Sequence, residues 1–166
     1  MRALRTSWKR EPFQEGIVVP YQATFDAEQF SRLKDGLIPK QMEDKWFIYY
    51  EEPYLFFHRG WTGQPVYRVK LQRLNDGAET TEALWSKELA KDSGLDREYQ
   101  AHLIDFLISN LLLGQIKAFP APSGMNESKH PLFQHHVSGT SYPIAESGPN
   151  GRLPWYACVR KIFRRS

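Results

Sequence analysis

Hydrophobic and polar positions in the middle of the chain predict three consecutive β-strands. The strands cover residues 46–50, 54–58 and 66–71. All three runs are rich in aromatic and β-branched residues, which suit a pleated surface. In the third run, Tyr67, Val69 and Leu71 alternate with charged residues, so one face is expected in a core. The first two runs are apolar at almost every position, which is typical of strands covered on both faces.

Turn signals separate these runs and add a fourth strand. Pro53 follows two glutamates and predicts a turn after the first run, and the stretch 60–63 predicts a tight turn after the second. Asp76-Gly77 is a strong hairpin signal, so the run 79–86 is interpreted as a strand. A helix over 80–91 is the rival interpretation, supported by the alanine, leucine, lysine and glutamate content.

Two stretches have helical spacing. A short helix is predicted over residues 26–34, capped by Thr24 or Asp26 and ended by Gly36. The longer helix, over 97–113, has an apolar stripe that is broad enough to lie against a sheet. Asp96 is expected to cap it and Gly114 to stop it.

These elements predict an α+β fold in a single domain, residues 1–166. An antiparallel meander of about four to five strands packs against the long helix, with the short N-terminal helix beside it. Residues 17–21 add a short strand at an edge, because Pro20 cannot donate to a ladder, and 155–163 suggest a last strand. Residues 1–15 are predicted to be an irregular arm, and 119–151 a long loop or flap.

Composition places the chain among ordinary globular proteins and says little about chemistry. Hydrophobic residues make up 41% and charged residues 25%, with a net charge of +3. Cys158 is the only cysteine, so no internal disulfide forms and a cytoplasmic location is predicted. The longest apolar region, 103–113, is too short to cross a bilayer, so no membrane partner is expected.

A candidate site falls at the end of the second strand and in the turn after it. His58 is the candidate catalytic group, because its imidazole titrates near neutral pH. Arg59 offers a planar fork of donors for phosphate, and Trp61 an indole for stacking. The predicted ligand-binding set is Arg59, Trp61, Thr62, Gly63, Lys45 and Glu51. The structural alternative makes His58 and Trp61 core residues, and Arg59 a buried partner of Glu51 or Glu52.

The same residues carry a family resemblance. The segments 44–47 and 55–63 read D-K-W-F and L-F-F-H-R-G-W-T-G, and resemble a small bacterial family with the pattern D-K-W-F, then F-H-R-S-W-T-G. Members of that family are sometimes associated with ADP-ribose-processing domains of the macro type, which implies a nucleotide-like or ADP-ribose-like ligand. The chain departs from the pattern at Gly60, where serine is usual; we interpret this as a turn position that accepts glycine.

Three function classes stay open at the sequence level. The first is binding or processing of a phosphate-bearing nucleotide or ADP-ribose-like molecule at residues 58–63. The second is a non-enzymatic protein-interaction module of accessory or immunity type, and the third is nucleic-acid binding through basic tails. The sequence has no P-loop or dinucleotide fingerprint and predicts no cofactor. His130, His135 and His136 lack a complete ligand spacing, so no metal site is predicted either.

Overall fold

One antiparallel sheet organises the part of the chain that the structure describes. The structure is a computed structural model and describes residues 1–41, 44–91 and 96–120. Its strands are β1 (Gly16–Val18), β2 (Thr24–Phe25), β3 (Trp46–Glu51), β4 (Tyr54–Arg59), β5 (Pro65–Leu74) and β6 (Gly77–Ser86). They lie in the order β1-β6-β5-β4-β3, and β2 also pairs with β6. The α+β fold with an antiparallel meander is therefore confirmed.

The strand interpretation of the fourth run is correct. β6 continues to Ser86, and a short helix, α2 (Lys87–Ala90), begins only there. Leu74 pairs with Gly77 across a two-residue loop, so the hairpin lies where the Asp-Gly signal indicated. Among the described strands, β1 pairs only with β6 and lies at the sheet edge, as predicted. It covers Gly16–Val18 instead of 17–21 and ends before Pro20.

Both predicted helices are present. α1 (Ala27–Asp35) is capped by Asp26, whose carboxylate accepts from the backbone N–H of Gln29 at 2.8 Å. α3 (Arg97–Leu107) is capped by Asp96 and continues as one π-helical turn, Ile108–Leu112. Asn110, within that turn, holds the chain that follows: its side-chain amide donates to the Lys117 carbonyl and accepts from the Lys117 N–H. These bonds fix the chain where the helix ends.

The inner face of the sheet carries the main hydrophobic core. Its buried strand residues are Trp46, Ile48, Tyr50, Leu55, Phe57, Tyr67, Val69, Leu71, Ala83 and Trp85. Phe30 and Leu33 of α1, and Ile104 and Leu107 of α3, belong to the same cluster. The alternation along β5 thus sorts its residues as predicted, with Arg68 and Lys70 outside the core.

The outer face of β3 and β4 is covered by residues 1–15, here called the N-terminal strap. The strap has no helix or strand, as predicted, but it is packed along the sheet. Ala3 is fully buried against Phe47 and Tyr49, and its N–H donates to the Asp35 carbonyl at 2.7 Å. At the other end, the Lys87 ammonium lies 2.8 Å from the Glu15 carboxylate. The double coverage expected from the apolar β3 and β4 runs is therefore present.

Several predictions fall on residues outside the described ranges. They are the loop or flap beyond residue 120, the histidines at 130, 135 and 136, and the strand over 155–163. Of the helices in residues 1–41, 44–91 and 96–120, none has the length and apolar character that a membrane-crossing segment needs.

Candidate functional site

The turn that follows β4 is closed by backbone hydrogen bonds on both sides. The Arg59 N–H donates to the Gln64 carbonyl at 2.9 Å, and the Gly63 N–H donates to the Arg59 carbonyl at 2.8 Å. Gly63 has a φ of +76°, a conformation that glycine adopts without strain. The Gly60 N–H donates to the Lys45 carbonyl at 2.8 Å, which ties the turn to the start of β3.

His58 lies beneath the strap and is 0% exposed. Its ring stacks on Tyr49, with centroids 5.7 Å apart, and lies beside Phe47 and Phe56. The Nδ1 atom is 3.0 Å from the Gly63 carbonyl, so Nδ1 carries the proton and Nε2 is an acceptor. Nε2 is buried and has no hydrogen-bond partner among the described residues. Burial lowers the pKa of this imidazole, so the neutral ring acts as a support for the turn.

Arg59 points to the opposite face of the sheet. Its guanidinium lies 4.6 Å from the ring centroid of Trp46, and burial lowers the pKa of this side chain. Successive strand residues face opposite sides, and β4 includes both His58 and Arg59. The strand therefore separates the two side chains that the sequence prediction placed in one site.

The other predicted ligand-binding residues are also dispersed. Glu51 ends β3 opposite Tyr54, the first residue of β4, and is therefore roughly 17 Å along the strand from the turn. Its carboxylate pairs with Arg5 at 3.3 Å. The Thr62 hydroxyl accepts from the Gln64 N–H at 3.2 Å, within the turn. Trp61 is different, because its indole is 57% exposed.

Trp61 lines a groove of about 230 Å³ on the outside of the turn. The lining residues are Trp8, Pro39, Lys40, Gln41, Asp44, Gly60 and Trp61. Trp8, from the strap, is 36% exposed, so two indoles from distant parts of the chain face the same groove. Neither Trp8 nor Lys40 is among the predicted site residues. The one sequence signal for Trp8 was its position as a tryptophan in a mostly polar N-terminal stretch.

Hydrogen bonds hold the groove walls in place. The Trp8 Nε1–H donates to the Gly60 carbonyl at 2.6 Å. The Asp44 carboxylate accepts from the backbone N–H groups of Lys40 and Gln41 at 2.8 and 3.3 Å. A Cβ at Gly60 would lie 2.6 Å from the Asp44 carbonyl, so this close approach requires glycine. Serine, usual at this position in the resembled family, would need the Asp44 backbone to shift, whereas glycine fits without a clash.

No family model, curated protein or solved structure matches the chain. The resemblance to the bacterial family therefore stays a prediction. In the described part of the chain, no three histidine, cysteine or acidic side chains are grouped to hold a metal ion.

Proposed function

We propose that the protein is a binding protein whose groove between Trp8 and Trp61 accepts a planar, phosphate-bearing ligand of the nucleotide type. The observation that carries the proposal is that two exposed indoles face one groove with Lys40 on its border. Every nucleobase has a π-face, and stacking on an aromatic side chain contributes about 1–3 kcal/mol per base. The proposal keeps the predicted ligand class and moves the site from His58 and Arg59 to the groove.

Charge around the groove supports a ligand with phosphates. Lys40 lines the groove, and Lys9 follows Trp8 in the strap with an exposed side chain. The Asp44 carboxylate, which would repel phosphate, is hydrogen-bonded to two backbone N–H groups. The groove volume of about 230 Å³ is below the roughly 300–1,000 Å³ that encloses a drug-sized ligand. The base would therefore enter the groove while the phosphates stay at its border.

Binding without catalysis is the activity that these residues support. His58 is the predicted general acid–base group, and it is enclosed by aromatic rings with its Nδ1–H committed to Gly63. A general base must come within hydrogen-bond reach of the proton that it removes. A ligand in the groove meets the two indoles, Lys40 and Asp44 instead, and the Asp44 carboxylate is already hydrogen-bonded to two backbone N–H groups.

Calorimetric titration of the full chain at low ionic strength tests the proposal with three compounds. ADP carries base and phosphates, adenosine only the base and ribose, and pyrophosphate only the phosphates. We expect ADP to bind most tightly, because both recognition elements contribute. Trp61→Ala should weaken ADP binding by roughly 5- to 150-fold, the equivalent of one lost stacking contact. The matched control is Ile116→Ala, since Ile116 is 82% exposed and outside the groove lining.

A second pair of variants tests the charge. Lys40→Gln should weaken ADP binding and leave adenosine binding unchanged, because only the phosphates contact the ammonium. Lys70→Gln is the control, since Lys70 is exposed on β5 and does not line the groove. Absence of ADP binding, or equal losses for Lys40→Gln and Lys70→Gln, would show that the proposal is wrong.

A protein-interaction module is the second candidate function. The same two indoles favour it, because exposed tryptophans are frequent anchors at protein interfaces, and the small groove suits a single inserted side chain. A partner retained on immobilised wild-type chain and on Ile116→Ala, but lost on Trp61→Ala, would identify this function. ADP should then have no effect on retention.

Nucleic-acid binding through the N-terminal basic residues has less support. Arg2 lies 6.0 Å from the Tyr50 ring centroid, and Arg10 lies 5.9 Å from that of Tyr49. Arg5 pairs with Glu51 at 3.3 Å. These guanidinium groups face the protein itself, so they are not arranged as a free basic tail.

A further inference from the structure

The N-terminal strap is anchored at the carbonyl of Gly63, and this carbonyl accepts two hydrogen bonds. One comes from the Glu11 N–H of the strap at 2.8 Å, and the other from His58 Nδ1 at 3.0 Å. The backbone of Lys9 and Arg10 passes so close that a Cβ at Gly63 would lie 2.8 Å from the Arg10 Cα. The strap therefore closes directly over the His58 side chain.

A second proton on His58, at Nε2, would have no hydrogen-bond acceptor among the described residues while the strap is closed. Within the described part of the chain, Nε2 is a buried acceptor without a partner, and the rings of Phe47, Tyr49 and Phe56 lie around the imidazole. A protonated ring would place an N–H and a positive charge at this position. An uncompensated charge in an apolar site is strongly unfavourable, so the ring must regain contact with water or stay neutral.

The charged groups around His58 do not compensate that proton. From the strap, Arg10 is positive and disfavours a second positive charge, whereas the side chain of Glu11 is exposed and is not among the groups that shift the pKa of His58. From β3, Tyr49 is neutral because burial raises its pKa, and Glu51 is paired with Arg5. On β4, Arg59 points to the other face, and on β5, Arg68 lies 4.7 Å from the Tyr54 ring centroid. In residues 1–41, 44–91 and 96–120, no carboxylate is hydrogen-bonded to either ring nitrogen of His58.

We propose that the N-terminal strap is released by acid, because it can close only over neutral His58. Release would remove Trp8 from the groove and expose the outer aromatic face of β3 and β4. The proposal concerns the strap itself and does not depend on which ligand the groove takes. Strap opening can be measured in the absence of any ligand.

The direction of the effect follows from proton linkage. Burial lowers the pKa of His58 from its usual 6.5, so the open state binds the proton first as pH falls. The equilibrium constant for strap closing therefore has its full value above pH 6.5. It decreases as pH falls from that value towards the lowered pKa of His58 in the closed state. Within that window the closing equilibrium falls by up to about tenfold per pH unit, because one proton is taken up on opening.

Hydrogen exchange of the full chain measures this equilibrium at two strap positions. The reporters are the Glu11 amide and the Trp8 indole N–H, each normalised to its intrinsic exchange rate from about pH 7.5 to about pH 5. The Val69 amide, in the centre of the sheet, must stay more protected than both at every pH. We expect the protection of the two strap reporters to fall by up to about tenfold per pH unit below the usual histidine pKa.

His58→Asn removes the titration while keeping an N–H that can donate to Gly63. Its strap protection should be independent of pH, whereas the control His102→Asn should respond as the wild type does. The proposal is overturned by pH-independent protection in the wild type, by exchange of Glu11 at the rate of Val69, or by an unchanged response in His58→Asn. If His58→Asn does not fold, a normal pKa for the His58 ring of the wild type, measured by NMR titration, also overturns it.

Discussion

The indole of Trp8 and the carbonyl of Gly60 are 52 residues apart in the chain and are joined by a hydrogen bond of 2.6 Å. This bond links the irregular strap to the turn between two central strands. It also sets the position of one groove wall, because Trp8 and Gly60 both line the groove. Strap, turn and groove therefore meet at the Trp8 side chain.

Trp8→Phe should destabilise the protein by about 0.5–1.5 kcal/mol, the net contribution of one hydrogen bond. Phenylalanine keeps an aromatic ring at this position but has no N–H for the Gly60 carbonyl. Urea denaturation measures the change in the free energy of unfolding. Trp61→Phe is the control and should stay within about 0.5 kcal/mol of the wild type, because Trp61 is a surface side chain. Equal values for the two variants would mean that the Trp8 bond contributes nothing to stability.

Gly60→Ala should destabilise the protein by about 1–3 kcal/mol, the usual cost of forcing extra atoms into a packed site. The added Cβ would lie 2.6 Å from the Asp44 carbonyl and 3.2 Å from Pro39 Cγ. Thr62→Ala, in the exposed part of the same turn, serves as the comparison and should have a much smaller effect. A normal denaturation midpoint for Gly60→Ala would show that the Asp44 segment moves easily, and would make serine acceptable at this position.

The fold was predictable because its signals are local. Alternation along β5 placed Tyr67 and Val69 in the core, and Asp26 forms the predicted cap of α1. The threonines and the Asp-Gly turn correctly indicated strand β6, although the composition of residues 80–91 also suits a helix. In each case, neighbouring residues in the sequence decide which face is buried or where an element ends.

The groove was not predictable, because its parts come from separate segments. Nothing near Trp8 in the sequence indicates that it contacts Gly60, which follows β4. The prediction at residues 58–63 also treated adjacent residues as one cluster. β4 extends to Arg59, so the pleat sends His58 and Arg59 to opposite faces. Of the predicted ligand-binding side chains, only that of Trp61 lines the groove.

Arg59→Met should lower the free energy of unfolding by about 0.5–2 kcal/mol, the range for a cation–π contact from exposed to desolvated sites. Methionine keeps much of the apolar stem but removes the guanidinium from above Trp46, where it lies 4.6 Å from the ring centroid. Arg73→Met is the matched control, since Arg73 is exposed and its guanidinium lies 6.0 Å from the Phe30 centroid. A larger loss for Arg73→Met than for Arg59→Met would contradict the assigned role.

Acidification should destabilise the folded protein through His58 and His102 together. Burial lowers the pKa of both imidazoles from 6.5, so the unfolded chain takes up protons at a higher pH than the folded chain does. The contribution of the neutral rings to the free energy of unfolding is fully present above the usual histidine pKa. It is lost progressively as pH falls towards the lowered pKa values of the folded state. For each histidine, the slope of the free energy of unfolding against pH corresponds to the uptake of at most one proton.

Urea denaturation at several pH values between about 7.5 and about 5 separates the two contributions. Subtracting the curve of His58→Asn from that of the wild type cancels every other titrating group, including the histidines beyond residue 120. The difference in the free energy of unfolding between the wild type and His58→Asn should decrease as pH falls below the usual histidine pKa. The reason is that protonation removes the advantage of a neutral His58 from the wild type alone. The same subtraction for His102→Asn should have the same sign, with Asp105, Glu98 and Asp96 opposing the effect of burial on His102. A difference that stays constant with pH for His58→Asn would mean that the enclosed imidazole does not couple folding to protonation.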